Sequence, residues 1–321
     1  MGLKTIGVLT SGGDSPGMNA AIRAVTRSAV YNGLTVKGIQ YGYNGLIDDN
    51  VIDLNSRSVS DIIQKGGTFL YTARSPKFKT EEGLNAAIST CKKHNIEGIV
   101  VIGGDGSFRG ARDLSLKGIP CVGIPGTIDN DISCSEYTIG FDTAMNTATE
   151  MVDKLRDTAQ SHDRCSVVEV MGRNAGWLAL ETGIAVGATA ILVPEVEYKT
   201  EAVLNKIKEA QASGKKHFII IVAEGVGNVL SLAETIESST GISTRATVLG
   251  HVQRGGNPTS RDRVLASLMG HAATELLKKG IGNRVVAVKN GKIEDYDIYE
   301  ALNKVKPFDF ESYKIANELS I

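Results

Sequence analysis

Residues 98–107 read Gly98-Ile99-Val100-Val101-Ile102-Gly103-Gly104-Asp105-Gly106-Ser107. Four consecutive β-branched apolar residues between glycines suit a strand covered on both faces, because a strand with one wet face would alternate. The same kind of run recurs in both directions along the chain: TIGVLT from Thr5, PCVGIP from Pro120, SVVEV from Ser166, AILVP from Ala190, FIIIVA from Phe218 and VVAV from Val285. Helical patterns lie between them. Met18, Ile22, Val25 and Ala29 share one stripe between Gly17 and Asn32, with Arg23 and Arg27 nearly opposite. Met145, Ala148, Val152, Leu155 and Ala159 make a second stripe. Leu265, Leu268, Met269, Ala272 and Leu276 make a third, which Lys278, Lys279 and Gly280 close. Strand alternating with helix specifies an α/β fold with mainly parallel sheets.

A chain of 321 residues suits two domains. No proline-rich linker separates them, so they are expected to share more than one crossing of the chain. Hydrophobic residues at 42 % and charged residues at 22 % are those of a soluble folded protein. Lys plus Arg is 35 against Asp plus Glu 36, for a net charge of −1. Without a basic field, DNA and RNA are not expected partners. The longest wholly apolar run, Phe218 to Ala223, falls far short of the ~20 residues that span a bilayer. The first residues carry no charged segment followed by a long apolar core. No membrane association is therefore expected, and the reading is cytoplasmic. Cys91, Cys121, Cys134 and Cys165 form no CxxC pair and read as reduced thiols.

In parallel sheets ligands bind beyond the carboxyl ends of the strands, so the loops after the apolar runs are the places to search. After TIGVLT comes Ser11-Gly12-Gly13-Asp14-Ser15-Pro16-Gly17, leading into a helix. Its glycines and the helix N-terminus suit a phosphate, and they equally suit a plain tight turn. It is not a Walker A loop, since Met18 and Asn19 stand where Lys-Ser/Thr belongs. After GIVVI, Asp105 in a glycine loop is placed either to hold Mg²⁺ against nucleotide phosphates or simply to form the turn. After PCVGI comes Pro125-Gly126-Thr127-Ile128-Asp129-Asn130-Asp131. If extended, this segment turns Asp129 and Asp131 to one side, as a general base and a metal or orienting partner. The alternative is an Asx-rich turn. Turns alone do not require three polar loops behind three buried strands. Downstream, Arg164, Arg173, Arg245 and Arg254 offer guanidinium forks for a phosphorylated substrate, and Arg173 and Arg254 each sit beside glycine after an apolar segment. Glu224, ending FIIIVA, suits a sugar hydroxyl.

The stretches LTSGGDSPGMNAAIR, GGTFLYTAR, VVIGGDGS, PGTIDND, VVEVMGR and TRATVLGHVQRGG together resemble the bacterial ATP-dependent 6-phosphofructokinases, the prokaryotic type of phosphofructokinase family A, over nearly the whole length. The resemblance implies two Rossmann-like three-layer domains. Residues 1–138 with about 251–303 would bind ATP, and residues 139–250 with about 304–321 would bind fructose 6-phosphate and effector. It implies ATP-dependent phosphorylation of fructose 6-phosphate at O1, with Mg²⁺, in a homotetramer.

By the same resemblance, Gly13 and Arg74 contact the transferred phosphoryl group. Ser75 and Gly104, Asp105, Gly106 and Ser107 bind ATP, with Asp105 on Mg²⁺. Asp129 is the base and Thr127 lies alongside. Met171, Gly172, Arg173, Glu224, His251 and Arg254 bind the sugar phosphate. Arg164 and Arg245 reach the 6-phosphate from a neighbouring subunit.

Arg23, Arg27, Arg57, Arg156, Gly187, Lys215, Lys216 and His217 match or adjoin effector positions for ADP or phosphoenolpyruvate. The sequence departs from the family there, with Ser56 for an arginine, Thr189 for an acid and Ser213 for a lysine. Relatives that use pyrophosphate carry Asp and Lys where Gly106 and Gly126 stand, which argues for ATP. A Rossmann dehydrogenase fits less well, since neither glycine loop matches GxGxxG. Binding alone needs no base, so Asp105, Asp129 and Arg173 together argue against a sugar-phosphate sensor.

Overall fold

The computed structural model describes residues 3–320. In chain order its elements are β1 (Thr5–Ser11), α1 (Met18–Tyr31), β2 (Thr35–Ile39), α2 (Tyr43–Ile47), β3 (Val51–Leu54), α3 (Glu81–Lys93), β4 (Gly98–Gly103), α4 (Asp105–Leu116) and β5 (Cys121–Pro125). There follow α5 (Phe141–Ser161), β6 (Cys165–Val170), α6 (Trp177–Ala185), β7 (Ala190–Leu192), α7 (Thr200–Ala212), β8 (Phe218–Ala223), α8 (Val229–Thr240) and β9 (Thr244–Val248). The last are α9 (Ser260–Lys278), β10 (Arg284–Lys289), β11 (Lys292–Asp297), α10 (Ile298–Asn303) and α11 (Phe310–Glu318). The chain divides into two compact units. The first runs through Ile128, adds Ile132–Thr143 and returns for Arg254–Lys306. The second takes Asp129–Asp131, Ala144–Gln253 and the stretch from Pro307.

The sheet of the first unit has the order β11-β10-β5-β4-β1-β2-β3. Its five inner strands are parallel, and the edge strands β3 and β11 run antiparallel to their neighbours. β1, β4 and β5 are buried along their whole length, as their unbroken apolar runs require. Register aligns their carboxyl ends: Ser11 pairs with Gly103, and Gly103 with Pro125. The three loops singled out in the sequence therefore leave the sheet side by side. Leu9, Ile99, Val101, Phe108 and Leu114 belong to the core under one face.

α1 buries the stripe read from the sequence, with Met18, Ile22, Val25 and Ala29 fully covered. α9 does not. Leu268, expected inside, is 51 % exposed, and the buried set runs through Leu265, Ala266, Met269, Gly270, Ala273, Thr274 and Leu277. A Cβ on Gly270 would lie 2.6 Å from Ala24 Cβ and 3.0 Å from the Ala21 carbonyl oxygen. The two helices meet through small residues, and that close approach turns the bulkier Leu268 outward. The C-terminus is as read: Gly280 takes φ +74 and its N–H donates to the Leu277 carbonyl.

β2, β3, β9 and β11 were not expected. They lie at or next to sheet edges with part of each strand exposed or half-buried, so the long apolar run of a central strand is missing. The sheet of the second unit, β7-β8-β6-β9, is parallel throughout. β8 is wholly buried. Phe308, from the C-terminal stretch, packs its ring 5.9 Å from that of Trp177 at the start of α6. Among the described residues no helix is long and apolar enough to cross a membrane.

Candidate active site

In the first sheet β1 is flanked by β2 on one side and β4 on the other, so the strand order reverses there and opens a crevice at the carboxyl ends. Gly12 and Gly17 take φ of +89 and +102, and each lets the chain turn as most side chains would not. The Ser107 hydroxyl donates to the Ser11 carbonyl at 2.9 Å, tying the second loop to the first. Asp105 to Ser107, read as a loop, are instead the first turn of α4, with Gly104 as N-cap. This sharpens the anion-binding reading, because the first N–H groups of a helix lack intrahelical partners and carry its positive end. Asp105 lies 3.0 Å from the Arg109 guanidinium one turn on, and both are about half exposed. A Cβ on Gly106 meets nothing within 4 Å. No packing demands glycine there.

Segment 72–75 closes on the same place. The Gly12 N–H donates to the Ala73 carbonyl at 3.3 Å, and the Thr72 hydroxyl donates to the Gly12 carbonyl at 3.0 Å, which sets Arg74 and Ser75 beside the first loop. A side chain on Gly13 would run into the Arg254 guanidinium. Arg254 also lies 3.9 Å from Asp14, and its buried Nε makes no hydrogen bond. A buried donor left in this state fits an anionic ligand. The Gly126 N–H donates to the Gly103 carbonyl at 3.0 Å, and Thr127 Cβ is 3.8 Å from where a Gly104 Cβ would stand. Unlike Gly106, Gly126 is enclosed: a Cβ there would lie 3.0 Å from Ile102 and 3.4 Å from Met18. Asn130 takes φ +51 between Asp129 and Asp131. The extended geometry that would turn both carboxylates one way is therefore broken at Asn130.

In the second unit the turn after β6 takes positive φ at two successive residues, Gly172 at +136 and Arg173 at +57. Glu224, following β8, accepts from the Arg173 N–H and holds that turn. A Cβ on Gly225 would lie 2.6 Å from the Arg173 carbonyl oxygen. Fully buried Gln253 was missed by single-residue reasoning although it sits between His251 and Arg254. It accepts from the Met171 N–H at 3.2 Å and donates to the Gly250 carbonyl at 3.0 Å. That draws the 3₁₀ turn Gly250–Arg254, and His251 with it, to the end of β6. Burial and the nearby Glu224 charge push the Glu169 carboxyl above the usual range.

Arg164 and Arg245 stand apart from these residues. Arg164 precedes β6, and Arg245 is paired near the start of that strand, opposite Ser166. At ~3.3 Å per residue, the length of β6 puts roughly 20 Å between them and the Met171–Arg173 turn. Arg245 pairs instead with Glu237 at 3.7 Å.

The effector-position residues divide by unit. Arg23 and Arg27 are one turn apart on α1, and burial together with the Arg27 charge lowers the Arg23 pKa. In the second unit burial and Arg156 lower Lys215, while burial and Lys215 lower Lys206, so three cations crowd together. Arg156 donates to the Val186 carbonyl. Gly187 is left-handed at φ +58, Lys216 lies 4.0 Å from Asp163, and Thr189 is buried. The Ser213 hydroxyl is turned onto the Ala210 carbonyl. Burial pushes the Cys91 and Cys165 thiols up to about 12 and Cys134 up to about 11.

The phosphofructokinase family model matches residues 5–277. The ATP-dependent 6-phosphofructokinase of Bacillus cytotoxicus is 56 % identical over 319 residues, covering 99 % of this chain and 100 % of the relative. A phosphofructokinase structure from Saccharomyces cerevisiae superposes with TM-score 0.89 at 34 % identity, covering 98 % of this chain and 46 % of that longer one. A pyrophosphate-dependent phosphofructokinase from Marinobacter aquaeolei superposes with TM-score 0.85 at 22 % identity, over 96 % and 86 %, and shares the fold. Motifs, architecture and similarity converge: this chain belongs to the phosphofructokinase family.

Proposed function

We infer that this chain transfers the γ-phosphoryl group of ATP to O1 of fructose 6-phosphate, giving fructose 1,6-bisphosphate and ADP in the cytoplasm, as a committed step of glycolysis. The observation that carries the reading is the helix N-terminus at Gly104–Ser107, set against the Gly12–Gly13 loop with open space at Gly106. An α-phosphate needs that room. Phosphoryl transfer asks the protein for in-line placement and neutralised charge more than for covalent chemistry. The first unit is the ATP-binding domain and the second the sugar-phosphate and effector domain. Gly13, Arg74, Ser75 and the first turn of α4 take the nucleotide phosphates. Among the described residues no group of three His, Cys, Asp or Glu side chains could hold a metal ion alone. Single, half-exposed Asp105 fits Mg²⁺ that arrives with ATP, since Mg²⁺ keeps waters and phosphate oxygens as ligands. Asp105 would hold the ion, which would supply positive charge to offset that of the phosphates.

Asp129 takes the proton of the O1 hydroxyl as that oxygen attacks the γ-phosphorus, with Thr127 alongside. Met171, Gly172, Arg173, Glu224, His251 and Arg254 hold the sugar phosphate. Arg164 and Arg245 serve the site of a neighbouring copy in a homotetramer, a role supported by their place at the amino end of β6. A coupled assay with fructose 6-phosphate and either ATP or pyrophosphate tests the reading. Product is expected with ATP only, and turnover with pyrophosphate alone would overturn it.

Regulation is expected to be weak. Arg23, Arg27, Arg57, Arg156, Lys215, Lys216 and His217 offer charge to a phosphorylated effector near Gly187, but binding regulates only if two quaternary states bind it differently. Buried Thr189 supplies no negative charge to tell a Mg²⁺-nucleotide from a bare anion, and Ser56 and Ser213 supply no cation. ADP and phosphoenolpyruvate are therefore expected to move half-saturation by fructose 6-phosphate less than in relatives that keep all three side chains. The measurement is a saturation curve at fixed ATP with and without each effector. A large shift with either would show that Lys206 or Arg57 compensates.

A further inference from the structure

Asp262, in the first turn of α9, is fully buried. Its Oδ1 accepts from the Gly140 N–H at 2.8 Å, and its Oδ2 accepts from both the Thr143 N–H at 2.9 Å and the Thr143 hydroxyl at 2.5 Å. All three partners are donors, so the site is shaped for an acceptor on both oxygens. The same Thr143 hydroxyl accepts from the Thr259 N–H at 3.0 Å, and the Thr259 hydroxyl accepts from the Asp262 N–H at 3.3 Å. A closed ring of hydrogen bonds thus joins residues 140–143 to residues 259–262.

Three stretches of the active site end on that ring. The loop carrying Thr127 returns through Thr138, whose hydroxyl donates to the Thr127 carbonyl at 2.6 Å, and through Ile139, whose N–H donates to the Pro125 carbonyl. It then reaches Gly140. The first glycine loop lies directly against it: a Cβ on Gly140 would be 2.6 Å from Ser15 Cβ, and one on Gly17 would be 2.6 Å from Ile139 and 3.6 Å from Asp262 Cβ. Arg254 stands five residues before Thr259. None of these contacts is with the reacting atoms, so a role for Asp262 works through its neighbours.

Resting on the assignment of Thr127, Asp129, Gly13 and Arg254 to the site, we propose that Asp262 is a positioning residue for phosphoryl transfer: its carboxylate, through Gly140, Thr143 and Thr259, holds the return of the Thr127–Asp129 loop and the Arg254 segment in register with the Gly12–Gly13 loop. Burial drives the carboxyl pKa up, and the Thr143 and Gly140 donors draw it back. An amide at this position keeps the shape but must point its NH₂ at donors on one side. A misplacement of about an ångström costs on the order of 100-fold in rate.

The test compares Asp262→Asn, Thr143→Val, Thr143→Ser and the double variant Asp262→Asn/Thr143→Val, with Leu277→Ala, buried near the far end of α9, as a control for stability alone. In Asp262→Asn, kcat is expected to fall about 10- to 100-fold with KM for Mg-ATP within about twofold. Thr143→Val should share part of that loss and Thr143→Ser should recover it. The double variant should be no worse than Asp262→Asn, since both act through one ring. If Asp262→Asn does not fold, the Val and Ser pair at Thr143 decides by itself. A kcat within twofold of the parent overturns the proposal. So does Thr143→Ser as poor as Thr143→Val, or an equal kcat loss in Leu277→Ala at a matched fall in Tm. Failure of the underlying site assignment is read separately, as near-normal turnover in Asp129→Asn assayed alongside.

Discussion

Asp129→Asn lowers kcat by ~10²–10⁴-fold while fructose 6-phosphate still binds. The amide matches the carboxylate in size and keeps an oxygen acceptor, but it cannot take the hydroxyl proton as the C–O–P bond forms. Asn130 adopts a left-handed φ, so the segment is not the extended strand that would turn Asp129 and Asp131 to one side. The measurement is single-turnover phosphorylation together with direct titration of fructose 6-phosphate. Turnover within a few-fold of the parent would remove Asp129 from the role of base. Loss of sugar binding in parallel would mean that it anchors substrate instead.

Gly106→Asp abolishes most ATP-dependent turnover without weakening the fold. Usually a glycine replaced in a buried loop confounds such a test through strain, but here the φ is not left-handed and the new Cβ enters open space. An acidic residue in the first turn of α4 should even favour the helix, by ~0.3–1 kcal/mol. The loss must then come from bulk and like charge against the nucleotide phosphates. The expected result is a kcat/KM for ATP down by at least about 100-fold, which one unfavourable charge contact of ~3 kcal/mol is enough to produce, with Tm equal or slightly higher. Unchanged ATP kinetics would mean that the start of α4 does not face the phosphates. The matching change at Gly126 is expected to behave differently, because its Cβ would press on the Ile102 and Met18 side chains, which would have to give way.

The apolar runs alone were enough to specify the buried strands of both sheets, though not β2, β3, β9 or β11. Ile99–Ile102 and Phe218–Ala223 are uninterrupted apolar runs because nothing else satisfies a strand covered on both faces, and their glycine-flanked ends located the loops that bear the chemistry. The sequence also determined the polar residue types in those loops, since amides, arginines and a carboxylate are what phosphates and a hydroxyl require. Tertiary structure decided what depends on distance between remote segments. Which face of α9 is buried followed from how closely Gly270 lets α1 approach, a matter of size that hydrophobic spacing does not encode. Edge strands such as β11 and β9 carry polar residues that read as loop until a neighbour supplies their hydrogen bonds. Gln253 and Asp262 look like ordinary polar residues in the sequence. Their burial and their partners, Met171 in one case and Gly140 and Thr143 in the other, exist only once segments 82 and about 120 residues apart are brought together, and a buried polar group is committed to whatever donors and acceptors the fold places around it.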